Sequence, residues 1–224
     1  MKTRVLVFGM LSVLLLAACG SDNASRNVEQ GAQLLNVTFD AADDWETGTF
    51  PADDPTASLA IQDGRYRVTH SAERSASFTW GQDGEAFEDV IIEVTAEQIS
   101  EYDNNLYGVA CRLAEDERGN QTGYALLISG DGHYGIADLS HNSLDFLLEW
   151  HQTREIHEGQ ETNTIRAVCA ADYLALYVNG EFLGEVEDDA YRRAGQVGLV
   201  AGVNKGESVE IAFDDLAVYA ATID

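Results

Sequence analysis

The chain has 224 residues with 39 aspartates and glutamates against 13 lysines and arginines, a formal net charge of −26. Nucleic-acid binding depends on clustered basic residues, and so does direct attraction to anionic lipid. The composition therefore excludes nucleic acid as an expected partner. The acidic surface itself fits either simple solubility in salty surroundings or a cation-rich habitat with bound Ca²⁺.

The first residues form an export signal. Lys2 and Arg4 precede a short apolar stretch that ends in Leu16-Ala17-Ala18-Cys19. This stretch is shorter than the roughly 20 residues that span a bilayer, as is typical of a secretory signal peptide. Its end resembles the lipobox of bacterial lipoproteins, which implies cleavage before Cys19 and lipidation of that cysteine. The alternative is an ordinary signal peptide with an incidental cysteine.

These features divide the chain into three parts. Residues 1–18 are expected to be the signal peptide, and the polar residues 19–33 a lipidated cysteine followed by a flexible tether. Residues 34–224 are long enough for one large all-β domain. We therefore expect an exported protein, lipid-anchored to the cell membrane or the outer membrane, with its domain outside the cytosol.

Alternating apolar and polar residues dominate this domain and predict strands. Dipeptides suited to tight hairpin turns separate several of them: Asp63-Gly64, Asp83-Gly84, Asp131-Gly132 and Asn179-Gly180. Many short strands at regular spacing predict two packed antiparallel sheets, an all-β sandwich.

Two cysteines follow Cys19 in the chain, Cys111 and Cys169, and both lie in apolar strand-like runs. An exported chain meets an oxidising compartment, so a disulfide between them is the favoured interpretation. Two buried free thiols are the alternative.

The order of motifs from Cys111 onward points to a family. Its most specific pieces are Gly108-Val109-Ala110-Cys111-Arg112, Leu176-Tyr177-Val178-Asn179-Gly180 and Phe213-Asp214-Asp215-Leu216-Ala217-Val218-Tyr219. This order resembles the concanavalin A-like lectin and glucanase jelly rolls, and within them the branch related to the 3-keto-disaccharide hydrolase domain. The resemblance implies a jelly-roll sandwich; it leaves the function open, because the fold hosts lectins, hydrolases and adhesion modules.

Sugar rings stack on aromatic faces, with polar groups nearby for the hydroxyls. Six residues lie in or beside the strands expected to form a concave binding face: Trp80, Tyr107, Arg112, Tyr124, Tyr134 and Trp150. Packing in the core is the alternative for each.

Catalytic signals are weak. Retaining glucanases of this fold carry paired carboxylates on one strand, and the nearest match here is Glu93 with Glu97, four residues apart. No aspartate lies between them, so a solvated strand edge is the favoured interpretation and no catalytic residue is assigned.

The resemblance also implies a structural Ca²⁺, held in related glucanases by an aspartate of the last strand and by backbone carbonyls. Asp214 matches the aspartate, and Gly64 could offer a carbonyl. An aspartate that caps a turn is the alternative.

Three functions follow. The favoured one is a non-catalytic module, anchored to the membrane, that binds carbohydrate or cell-wall glycan. The others are a glycoside hydrolase acting on disaccharides or polysaccharides, and a protein-interaction or structural module of the envelope.

Overall fold

The computed structural model describes residues 24–40, 45–53, 56–141 and 143–224, except for the side chain of Asp83. Within these ranges the chain forms strands and turns and no helix, so none of the described residues forms a helix able to cross a bilayer. The strands are β1 Val28–Val37, β2 Gly48–Phe50, β3 Ala57–Gln62, β4 Arg65–Ser71, β5 Ser77–Phe87, β6 Val90–Gln98, β7 Asn105–Glu115, β8 Gln121–Ile128, β9 His133–Ser140, β10 Ser143–Gln152, β11 Thr162–Ala170, β12 Tyr173–Val178, β13 Glu181–Glu187, β14 Gly195–Val203 and β15 Ser208–Ile223.

The strands form two antiparallel sheets. The nine-stranded sheet has the order β13-β12-β11-β6-β15-β4-β3-β2, with β1 paired to β15. The six-stranded sheet has the order β10-β9-β8-β7-β14-β5, so that β10 and β5 are its edges. The prediction of an all-β, two-sheet antiparallel sandwich is confirmed.

The main core lies between the sheets and is filled by the inward side chains of both. Alternation along β7 directs Tyr107, Val109 and Cys111 inward, and alternation along β6 does the same for Ile92 and Val94. The disulfide prediction is confirmed, because Cys111 of the six-stranded sheet is bonded to Cys169 of the nine-stranded sheet, with Cα atoms 6.7 Å apart. This bond joins the two sheets through the middle of the core.

Three of the four predicted turn dipeptides join the strands of a hairpin. Asn179 and Gly180 both adopt positive φ between β12 and β13, at 54° and 88°, as a tight hairpin turn requires. Asp131-Gly132 and Asp63-Gly64 likewise join consecutive strands. The fourth predicted turn is wrong: Asp83 and Gly84 lie within β5, where its pairing with β14 is irregular between Gln196 and Gly198. A β-bulge takes up the extra residues, so the edge strand continues.

The prediction of a flexible tether over residues 19–33 is also wrong for its last six residues. Residues 28–33 belong to β1, which pairs with the end of β15 from Val28 opposite Ile223 to Val37 opposite Leu216. Backbone hydrogen bonds alone can hold a strand at the edge of a sheet. Such a strand needs no alternation of apolar residues, and these polar residues show none. Cys19 lies outside the described residues.

Candidate functional site

The six-stranded sheet has a second apolar face on the side opposite the core. Where Tyr107 and Val109 point inward, Leu106 and Ala110 point outward, and Ala125, Leu127 and Leu139 of the neighbouring strands join them. A second apolar cluster therefore lies on the outer surface of this sheet. The central residues of this cluster are themselves buried, so the accessible apolar surface of this face comes from the half-buried side chains packed against them: Phe78, Trp80, Leu106, Leu144 and Trp150.

Aromatic side chains stand on both edge strands of this face. Phe78 and Trp80 are on β5, with ring centroids 5.9 Å apart. Phe146 and Trp150 are on β10, with centroids 5.2 Å apart. Between the two pairs the strands carry smaller outward residues, Ala110, Ala125 and Val200 among them. The smaller residues leave the middle of this face low, and the aromatic pairs of β5 and β10 form walls on its two sides.

Glycines let the walls sit close to the sheet. A Cβ on Gly202 would lie 2.6 Å from the Cβ of Phe78, and one on Gly135 would lie 3.0 Å from a ring carbon of Phe146. Both distances are too short for ordinary carbon contacts. Phe78 and Phe146 can therefore pack this closely only because the neighbouring strands carry glycine at these two positions. Any side chain there would collide with them.

The walls and the polar end of the sheet enclose a groove of about 920 Å³, which is within the usual size range of ligand sites. Its apolar lining is Ala76, Phe78, Leu106, Leu144, Phe146, Trp150 and Val203. Its polar lining is Ser75, Ser77, Asn104, Asn105, Ser129, Asp131, His133, Ser143 and Asn204.

The polar residues concentrate where β7, β8, β9 and β14 begin or end. His133 Nδ1 lies 2.9 Å from Asp131 Oδ1, an arrangement that fixes the imidazole beside the groove. Asn204 Nδ2 donates to Asn104 Oδ1 at 3.3 Å. Among the lining residues that the structure describes, Asp131 is the one carboxylate and no lysine or arginine occurs.

Two of the six predicted binding residues lie on this outer face. Trp150 lines the groove itself. Trp80 packs in the same outer cluster, beside Phe78, where its Nε1 donates to Gln82 Oε1 at 3.3 Å. Their contribution to ligand binding stays a prediction.

The other four do not face the groove. Tyr107 and Tyr124 are fully buried between the sheets, and burial raises the pKa of Tyr107 to about 12. Tyr134 packs against the main core and its hydroxyl donates to the Leu183 carbonyl at 2.6 Å, while Arg112 is buried among backbone carbonyls. Their placement on the binding face was wrong because alternation along a strand defines two faces without showing which one meets the other sheet.

Sequence reasoning missed Phe78, Phe146, Asp131 and His133. Phe78 belongs to β5, a strand that was not predicted, although Phe78-Thr79-Trp80 is a short aromatic alternation that could have indicated it. Phe146 and Trp150 share a face because β10 has two pairing shifts, one before and one after Leu148, which turn Leu148 between them toward the core. No periodicity rule shows such a bulge in advance.

The weak catalytic candidates share a face, as expected, but it is the outer face of the nine-stranded sheet. Glu93 forms an ion pair with Arg166, and Glu97 forms one with Arg65. The inward neighbours Val94 and Ala96 belong to the core between the sheets. Glu93 and Glu97 are therefore separated from the groove by the whole sandwich.

The predicted calcium ligands are Asp214 and Gly64. Asp214 lies on β15, and one of its carboxylate oxygens accepts a hydrogen bond from the backbone N–H of Asp215 at 2.8 Å. Gly64 lies in the β3–β4 turn beside Asp40. Over the described ranges, no three His, Cys, Asp or Glu side chains form a group suited to a metal. A calcium ion, which takes six to eight oxygens, would depend on carbonyls and water here, and the site stays a prediction.

The two sheets and their connections define a concanavalin A-like jelly roll. No known family model matches the chain, and a search of curated proteins gives no match either. Among solved structures, the carbohydrate-binding module CBM66 from Bacillus subtilis has a TM-score of 0.60 at 12% identity, over 79% of this chain and 96% of that one.

A lichenase, a β-1,3-1,4-glucanase from a mouse hindgut metagenome, is equally similar, with a TM-score of 0.60 at 13% identity over 83% of this chain and 98% of its own. A Bacillus subtilis protein of unknown function with a galectin-like fold has a TM-score of 0.63 at 14% identity, over 88% and 99%. Binding modules and glucanases thus share this fold, and at these identities the likeness concerns the fold alone.

Proposed function

We propose that the protein is an exported, lipid-anchored module whose groove binds a neutral glycan without cleaving it. The observation that carries the proposal is the groove on the outer face of the six-stranded sheet, with Phe146 and Trp150 on one wall and Phe78 on the other. The anchor is supported by the sequence from Lys2 to Cys19. The carbohydrate-binding module and glucanases of the same fold support the ligand class.

The lining suits a sugar. Pyranose and furanose rings present apolar C–H faces that pack on aromatic rings, and their hydroxyls need donors and acceptors close by. The groove supplies aromatic rings and polar groups: Trp150 and Phe146 form one wall, and Asp131, His133 and Asn204 line the polar part.

Charge selects among glycans. The groove carries Asp131 and no lysine or arginine among its described lining residues, and the chain as a whole has a net charge of −26. A uronate or sulfate group would be repelled by that field and would find no cationic partner. A neutral glycan meets neither penalty.

The lining also disfavours hydrolysis. Glycosidases need two carboxyl groups, about 5–5.5 Å apart in retaining enzymes and 6.5–9.5 Å apart in inverting ones. Asp131 has no carboxylate neighbour in the lining as described, and its Oδ1 is paired with His133. The glycoside hydrolase therefore remains the second candidate, with the glucanases of this fold in its favour.

The test uses residues 19–224 with Cys19→Ser, which keeps every described residue and removes the lipid. The protein is applied to an array of neutral, uronate-containing and sulfated glycans. We expect retention on neutral glycans, with about tenfold weaker binding for Trp150→Ala, or about 1.4 kcal/mol. Tyr177→Ala is the matched control, because Tyr177 packs on the outer face of the nine-stranded sheet.

Each alternative has its own outcome. Release of new reducing ends from a bound glycan would establish the hydrolase. An array without any binding, together with an envelope protein co-purifying with the anchored chain, would favour the protein-binding module. Equal losses in Trp150→Ala and Tyr177→Ala would remove the groove as the site.

A further inference from the structure

The first described residues, Ala24 to Val28, are bound to the outer face of the nine-stranded sheet; we name them the N-terminal strap. The Ser25 backbone N–H donates to Glu185 Oε2 at 2.9 Å. Arg26 Nη1 lies 3.1 Å from Asp172 Oδ1 and 3.2 Å from Glu187 Oε1. The strap is thus tied to β13 and to the β11–β12 turn.

Apolar contacts place the strap on a definite side of the sandwich. Val28 packs with Val168, Tyr177 and other outward residues of the nine-stranded sheet. The Arg26 guanidinium stands over the Tyr173 ring, 5.8 Å from its centroid. This surface is opposite the groove, and the two packed sheets, about 10 Å apart, lie between them.

The strap begins very close to the predicted lipid. Five peptide steps separate Cys19 from Ala24. Whatever its conformation, a chain of that length reaches at most about 18 Å. That is less than the size of the domain, so the point where the chain meets the domain must stay near the bilayer surface.

We infer that the strap sets the orientation of the domain on the membrane: the outer face of the nine-stranded sheet lies against the lipid surface and the groove faces away from it. The inference rests on the proposed lipid anchor. Attraction between the acidic chain and anionic lipids cannot supply this orientation, since a net charge of −26 favours separation. The short covalent connection and the strap contacts supply it instead.

The orientation can be tested apart from native acylation. Cys111 and Cys169 are bonded to each other, so Cys19 is the one free thiol of the chain from residue 19 onward. That thiol is coupled to a maleimide lipid in nanodiscs of zwitterionic lipid that also contain gadolinium-labelled head groups. Paramagnetic broadening of backbone amide signals then reports the distance of each residue from the membrane.

We expect several-fold stronger broadening at Thr95 and Tyr177, on the nine-stranded sheet, than at Phe78 and Gly202, beside the groove. A long Gly-Ser spacer between Cys19 and Ala24 should make the broadening at the two pairs of residues similar. Arg26→Ala should reduce the difference in broadening between the two pairs. Equal broadening in the parent protein, or stronger broadening beside the groove, would overturn the inference. Metabolic labelling of the exported chain with palmitate tests the anchor separately, and the glycan array tests the ligand.

Discussion

Arg112 Nη2 donates to Asp89 Oδ1 at 3.0 Å, and the same carboxylate oxygen accepts the backbone N–H of Ala171 at 2.7 Å. The buried guanidinium also donates to three carbonyls, those of Glu88, Ala171 and Tyr191. One side chain of the six-stranded sheet thereby holds the β5–β6 and β11–β12 turns and the segment after β13.

Replacing Arg112 by alanine should destabilise the fold by about 3 kcal/mol, because it leaves buried acceptors without a donor. Chemical denaturation measures the change in unfolding free energy. Arg166→Ala is the matched control: its ion pair with Glu93 is partly exposed, so its loss should cost about 1 kcal/mol or less. Similar losses in both variants would show that the contacts of Arg112 carry no special weight.

The disulfide between β7 and β11 should contribute about 4 kcal/mol, since it closes a loop across 58 positions of sequence in the unfolded chain. The comparison is between the oxidised protein and a Cys111→Ala, Cys169→Ala variant, with denaturation midpoints as the measurement. Reduction of the unmodified protein should give a shift in the same direction. An unchanged midpoint would contradict the expected contribution of the crosslink.

Gly202→Ala should disturb the β5 wall of the groove. The new methyl group would lie 2.6 Å from the Phe78 Cβ and 2.8 Å from the Ser77 carbonyl oxygen, so strand β5 must move. We expect a cost of about 1–3 kcal/mol and weaker glycan retention. Gly84→Ala on β5 is the control, because a Cβ there meets nothing within 4 Å. If both variants behave alike, the close approach is not what shapes the wall.

Asp138 should make stability depend on pH. Burial raises the pKa of Asp138, and nearby Asp188 and Asp145 raise it further, while the hydrogen bond from Tyr191 opposes them. A carboxyl whose pKa is higher in the folded state favours folding below its unfolded pKa, and this advantage disappears as pH rises through the folded pKa.

Asp138→Asn removes that ionisation and keeps an acceptor for Tyr191. The difference in unfolding free energy between this variant and the parent should therefore grow in favour of the variant from about pH 3 to pH 7. Urea denaturation at several pH values measures it. Asp215→Asn, at an exposed residue with φ of 50°, is the control for the loss of one carboxylate. A flat difference for Asp138→Asn would contradict the raised pKa.

Local chemistry predicted a large part of this fold. Alternation located the strands from β6 to β15 because each of them has one face in the core between the sheets. Asn179-Gly180 specified its turn through positive φ at both positions. Cys111 and Cys169 were predicted as a pair because the chain offers no other partner after Cys19.

The early strands were harder to predict. β2, β3 and β5 were not anticipated, and residues 28–33 of β1 were taken as a tether. For β1 and β5 the reason is distant pairing. β1 pairs with β15 at the opposite end of the chain, and β5 pairs with β14. Such ladders are held by backbone hydrogen bonds, which every residue but proline can form, so the local sequence carries little sign of them.

By itself, the sequence determined the class of the fold and the disulfide, since these depend on residue type and short-range order. Only the tertiary structure decided that Trp150 faces the groove while Tyr107 and Tyr124 fill the core. The physical reason is that a strand offers two faces of similar apolar character. Which of them is covered depends on how the second sheet packs, and that is a property of the whole chain.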